Sequence, residues 1–261
     1  MIGIARQDHP EAVMKHAGLY AGKTALIVLG GESGARWESI REAVKPDVII
    51  GVNGVNAMIP DLDYWLCIEN MRGAFSKAQQ GSQEHLEIVK MYQRTGPRWR
   101  FANWKSGDLL KDQHKLVYVQ RSYGLSIEDF AGSSFSWRLY GTGLLTGPLF
   151  SAVKTVNAPL RLGTVSLQAL HLASILGAAK IYTIGWDMVL SEKQHWYVYP
   201  DTYRPGEYFN EGMFVEYDGL PTTAWWLDTA RYLVQLRPLL EAEKIEWIDL
   251  SKGLMDRINE E

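Results

Sequence analysis

Residues 24–40, TALIVLGGESGARWESI, constrain the fold of this chain more than any other stretch. Residues 25–29 are an apolar run of strand length, residues 30–34 (Gly30, Gly31, Glu32, Ser33, Gly34) make a tight glycine turn, and residues 36–44 carry a helix. A buried strand that passes through glycine into a helix is a building unit of parallel α/β sheets. Glycine lets an anion approach the backbone, and a helix start presents unpaired N–H groups, so the turn could hold a phosphate or nucleotide. The same turn could also be a plain connection.

The rest of the chain repeats the unit. Residues 1–22 read as a helical lead-in ending at Gly22. After Pro46, residues 47–52 (DVIIGV) give a second buried strand that stops at Asn53-Gly54-Val55-Asn56, and after Pro60 residues 63–68 (DYWLCI) give a third. Residues 83–94 read as a helix, and residues 98–102 and 115–120 as further strands. Residues 131–148 (AGSSFSWRLYGTGLLTGP) lack periodicity and read as a long loop, a class that more often carries function than support. Residues 163–177 form an apolar helix with Thr164 as N-cap and Gly177 at its end, followed by the strand 180–184 (KIYTI) and Gly185-Trp186-Asp187. His171 lies inside that helix and reads as a packed histidine. Residues 222–243 read as a long helix bent at Pro238, and residues 245–250 (IEWIDL) as a last strand. The pattern predicts a single α/β Rossmann-like domain over residues 1–261, with three layers, a mostly parallel sheet, and strand ends gathered on one rim where ligands of such sheets bind.

Residues 188–221 break the pattern. His195, Trp196, Tyr197, Tyr199, Tyr203, Tyr208, Phe209, Phe214 and Tyr217 stand there among charges and prolines. Rings with polar edges suit a sugar or a base, and they equally suit an insertion that packs on itself or on a second subunit.

Charge and cysteine usage narrow the function classes. A formal net charge of −3 over 261 residues gives no broad electrostatic footprint for nucleic acid, although a local single-strand groove stays open. The one cysteine, Cys67, lies in an apolar run and reads as a small core residue of a reduced, cytoplasmic protein. No run approaches the ~18 apolar residues of a membrane span. There is no G-x-x-x-x-G-K-[ST] loop, no G-x-S-x-G elbow, no HExxH and no paired CxxC. Asp61 and Asp63 read as a turn and a strand cap rather than a metal clamp, so no metal ligands are assigned.

The segments LIVLGGESG, IIGVNGVNAMIPDLDYW, GTVSLQALHLASILGAAKIYTIGWDM, YDGLPTTAWWLDTARYLVQL and WIDLSKGLMD resemble the bacterial domain-of-unknown-function family 115. That family belongs to the 6-hydroxymethylpterin diphosphokinase-like superfamily and includes motility accessory factors that modify flagellin. The same landmarks are similar to those of family 42 bacterial sialyltransferases. The resemblance implies that Gly30, Gly31 and Ser33 contact a nucleotide, with Glu32 standing where proline is usual. It implies that Asn53 contacts the nucleotide, with Asn56 nearby, and that Gly163, Thr164 and Ser166 hold the donor. Gly185 and Asp187 match a Gly-x-Asp landmark.

The sialyltransferases place a histidine base shortly before the last long helix, where this chain has Tyr217-Asp218-Gly219. His195 is therefore the candidate base, and Asp187 the competing one. The preferred reading is transfer of sugar from a nucleotide-activated donor of the CMP-nonulosonate class to a glycan or protein acceptor, with no cofactor. A pterin-type diphosphokinase using ATP and Mg²⁺ is the alternative, and a non-catalytic nucleotide binder, or a homo-oligomer, also fits.

Overall fold

The computed structural model describes residues 16–67, 79–81, 86, 99–103, 116–119, 165–190, 214–242 and 244–259. Its core is a seven-stranded sheet of β1 (Thr24–Val28), β2 (Val48–Val52), β3 (Tyr64–Cys67), β4 (Trp99–Asn103), β5 (Leu116–Val119), β6 (Lys180–Ile184) and β9 (Glu246–Asp249), in the order β5-β4-β3-β2-β1-β6-β9. Every neighbouring pair in it is parallel. The α/β class and the parallel sheet expected from the sequence are thus the observed ones, and the further strands read from residues 98–102 and 115–120 are present as β4 and β5.

Strands buried on both faces read as continuous apolar runs rather than alternating ones. All five residues of β2 are buried, as are all four described residues of β3, and Cys67 is a fully buried core residue. On one face, Ala25, Ile27, Val48, Ile50 and Val52 belong to one apolar cluster with Leu167, Leu170 and Ala173 of helix α3 (Val165–Ile175) and with Ala230 and Leu233 of α4 (Ala224–Ala242). On the opposite face, Gly51 leaves the space that Leu62 and Val55 fill, the latter from the short helix α2 (Val55–Met58).

Helix boundaries follow local chemistry. The segment expected as helix from residue 36 splits into a 3-10 turn (Glu32–Arg36) and α1 (Trp37–Val44). Lys45 closes α1 in the left-handed conformation, its N–H donating to the Arg41 carbonyl at 2.9 Å, and Pro46 blocks continuation. Gly177 ends α3 at φ +86°, as expected. The helix expected over 222–243 begins instead at Ala224, because Thr223 caps it: its Oγ1 accepts the Trp226 N–H at 3.1 Å. A last helix, α5 (Leu254–Asn259), follows β9.

Two expectations are corrected. Residues 16–22 of the supposed helical lead-in are turns, held to the end of α3 by Gly18 N–H to Ile175 O (2.9 Å) and Tyr20 N–H to Leu176 O (2.8 Å). The end of the aromatic stretch is regular: β7 (Phe214–Tyr217) and β8 (Leu220–Thr223) form an antiparallel hairpin, turned by Asp218 (φ 48°) and Gly219 (φ 72°). Asp-Gly is a favoured pair for a two-residue hairpin turn because both positions take positive φ. The loop read at 131–148 and residues 191–213 of the aromatic stretch lie outside the described residues.

Candidate functional site

From β1 the sheet grows through β2 towards β5 on one side and through β6 to β9 on the other. Such a reversal opens a crevice beyond the carboxyl ends of the two central strands, where parallel sheets bind ligands. Residues 30–33 leave β1 there and residues 185–187 leave β6. Residues 53–56 leave β2 on the same rim, and residues 249–251 leave β9.

The rim between β1 and β6 is laced together. The β1–β6 ladder continues past the strands through Leu29 N–H to Ile184 O and Gly31 N–H to Gly185 O, each 2.8 Å. Gly185 N–H then donates to Ser33 Oγ at 2.9 Å, and Ser33 N–H donates to Asp187 Oδ2 at 3.0 Å. Gly185 is required: φ is +86°, and a Cβ would run into the Leu29 carbonyl. Gly31 is required for a different reason than expected, since its missing side chain makes room for the Asp187 carboxylate.

Asp187 is held from three sides. Its carboxylate takes the Ser33 N–H, its carbonyl accepts the Leu254 N–H at 2.9 Å, and Gly253 packs directly on its backbone. Burial pushes its carboxyl above the ordinary carboxylate value, opposed by the hydroxyl and N–H of Ser33 and by the Arg36 charge. Asp187 therefore lies on the rim, as expected, with its carboxylate engaged by the glycine turn.

A matching arrangement that the sequence reading missed braces the other side. Trp186 N–H donates to Ser251 Oγ at 2.8 Å, and Ser251 Oγ donates to Asp249 Oδ1 at 2.8 Å. Thr183 Oγ1 donates to the same oxygen, and the Trp247 indole N–H donates to Thr183 Oγ1 at 3.2 Å. Asp249 Oδ2 is buried with no hydrogen-bond partner among the described residues. Burial pushes the Asp249 carboxyl up to about 6 against the two hydroxyls, and Asp256 adds to the rise. An acidic residue at the end of a strand, followed by serine and glycine, was the available signal.

Asn53 sits at the carboxyl end of β2 in the left-handed conformation, φ 46°, which asparagine tolerates better than most residues. Its N–H donates to Leu66 O at 3.0 Å and its carbonyl accepts the Trp65 indole N–H at 2.7 Å. Its side-chain Oδ1 is buried with no hydrogen-bond partner among the described residues. Asn56, one turn on, is fully buried. Ser166 lies in the first turn of α3, which runs antiparallel to the following β6, so that its start is at the rim end of the sheet. Gly163, Thr164 and His195 lie outside the described residues, and nothing is assigned to them from geometry.

The hairpin stands beside this rim. Thr222 Oγ1 donates to Met188 O at 2.6 Å and Leu190 N–H to Pro221 O at 2.7 Å, so β8 continues the segment that follows Asp187. At the other end of the sheet, Asp61 accepts from Arg41 at 2.7 Å and Asp63 accepts the Ile49 N–H at 2.9 Å. Among the described residues no group of three or more His, Cys, Asp or Glu is placed to hold a metal ion, and no helix is long and apolar enough to cross a membrane.

Neither a protein-family model nor a curated protein matches the chain. Among solved structures, the chain is similar to the sialyltransferase CstII from Campylobacter jejuni, determined in complex with a substrate analogue, cytidine-5'-monophosphate. The two share 13% identity over 91% of this chain and 84% of that one, with a TM-score of 0.45.

Proposed function

We propose that this chain binds a nucleotide-activated sugar along the carboxyl rim of its sheet and transfers the sugar to a glycan or protein acceptor. The observation that carries the reading is Asn53: a residue in a left-handed conformation at the mouth of the sheet, with a buried amide oxygen that has no donor among the described residues. A buried acceptor left without a donor costs roughly 1–3 kcal/mol, and a ligand N–H at this position would recover it. A nucleobase amino group has that chemistry, and cytosine of a CMP-nonulosonate is the base we assign. Asn56, Ser166 and residues 30–33 border the same rim.

In this proposal the leaving nucleotide is stabilised by N–H and hydroxyl groups of the rim, and no cofactor is invoked. His195 serves as the base that takes the acceptor hydroxyl proton. Asp187 becomes a second base only if its carboxylate is released from Ser33.

The test is a thermal-shift screen of CMP, CDP, UDP, GDP, AMP and ATP, each with and without Mg²⁺. A ligand that binds only the folded state stabilises it by about 2.7 kcal/mol at a hundredfold excess over Kd. Selective stabilisation by CMP or CDP without metal is expected. Stabilisation by ATP with Mg²⁺ alone would replace the reading with pyrophosphoryl transfer, and silence across the panel would refute nucleotide binding.

A further inference from the structure

We propose that Asp187 is the resident anion of the turn at residues 30–33, and that a ligand phosphate reaches this turn only after the carboxylate has let go of Ser33. The inference rests on the nucleotide reading above and concerns how that site is kept closed.

Three contacts carry it. Ser33 gives Asp187 its N–H, at 3.0 Å, and its hydroxyl favours the carboxylate's charge. The pocket left by the absent side chain of Gly31, where an anion would meet the backbone, is filled by Asp187 Oδ2. Arg36, the cation of the same 3-10 turn, lies close enough to favour the carboxylate's charge, while its guanidinium donates to Leu250 O at 2.8 Å. The Ser33 N–H and the space beside Gly31, both of which would draw a phosphate to this turn, are already taken by Asp187.

Two negative groups cannot share those donors. A phosphate placed on the Ser33 N–H would lie within a few ångströms of the carboxylate, where like charges repel by about 1 kcal/mol or more even at high dielectric. Burial already disfavours the charged carboxyl at this position, so the contact is one that a stronger anion can replace rather than an optimum for the aspartate. The backbone of residues 185–187 is fixed by Ser33, Ser251 and Leu254, so release consists of a rotation of the Asp187 side chain alone.

The experiment compares affinities for cytidine, CMP and inorganic pyrophosphate by titration calorimetry in the wild type and in Asp187→Asn. The amide keeps an acceptor for Ser33 and removes the charge. The expected result is CMP and pyrophosphate binding roughly tenfold tighter or more in the variant, with cytidine unchanged. Equal CMP affinity in both proteins would overturn the latch and leave the nucleotide reading standing. Tighter pyrophosphate with no binding of cytidine or CMP would support the latch and refute the nucleotide reading. No binding of any probe to either protein would overturn both.

Should Asp187→Asn fail to fold, the wild type alone decides. The latch predicts that the phosphate of CMP adds less than about tenfold over cytidine, since it must displace a carboxylate, and a gain of a hundredfold or more overturns it.

Discussion

Thr183 Oγ1 donates to Asp249 Oδ1 at 2.7 Å across the seam between β6 and β9, while the second oxygen of the same carboxyl is buried with no hydrogen-bond partner among the described residues. Because the folded-state value, about 6, lies above the ordinary 3.8, the native state holds a proton that the unfolded chain has lost between those values. Stability from this group therefore falls as pH rises from about 3.8 to about 6 and stays low above it, by about 3 kcal/mol for a shift of this size. Asp249→Asn should flatten that slope and stabilise the protein at pH 7 by about 2 kcal/mol, less than the full amount because the amide N–H₂ also lacks a partner. Urea unfolding at pH 4, 5, 6 and 7 reads it; a variant no more stable than the wild type at pH 7 would show that the buried carboxyl is not strained.

Gly185→Ala and Gly219→Ala separate crowding from backbone conformation. Both glycines have positive φ, but only at Gly185 would a Cβ meet the Leu29 carbonyl, whereas nothing lies within 4 Å at Gly219. Gly219→Ala should cost roughly 1 kcal/mol, and Gly185→Ala at least twice as much. Equal losses in chemical denaturation would mean that the β1–β6 contact relaxes without cost.

Asn53→Gly tests the amide without disturbing the backbone, because glycine accepts φ 46° freely. Folding stability should change little, while the nucleotide Kd rises roughly tenfold. An unchanged Kd would remove Asn53 from the site.

His195→Ala should lower sugar transfer by roughly 10²- to 10⁴-fold, the usual contribution of a general base, and leave donor affinity as it is. Full residual transfer would refute the assignment and return attention to Asp187.

The central strands were legible because they are buried on both faces. Residues 180–184 were read and found as the same five-residue strand, and β1 and β2 differ from their expected bounds by a single residue. Punctuation by Pro46, Gly177 and Pro60 placed the connections, since each acts through its own backbone restriction. The hairpin was missed although Asp218-Gly219 announced it: the flanking residues FVEY and LPTT lack clean alternation, and Pro221 argues against a strand. Least legible was the closure of the glycine turn. Ser33 and Asp187 are 154 residues apart, and a local pattern that says an anion belongs here cannot say that the chain supplies it.

The extension of the β1–β6 ladder into the turns beyond both strands also governs motion. With Leu29, Gly31 and Ser33 bonded in sequence to residues 184, 185 and 187, the two halves of the sheet cannot hinge apart at their midline without breaking four hydrogen bonds in turn. Under the proposed function, ligand entry would proceed by reorientation of single side chains on the rim, so its kinetics should report rotamer exchange rather than the slower opening of two lobes.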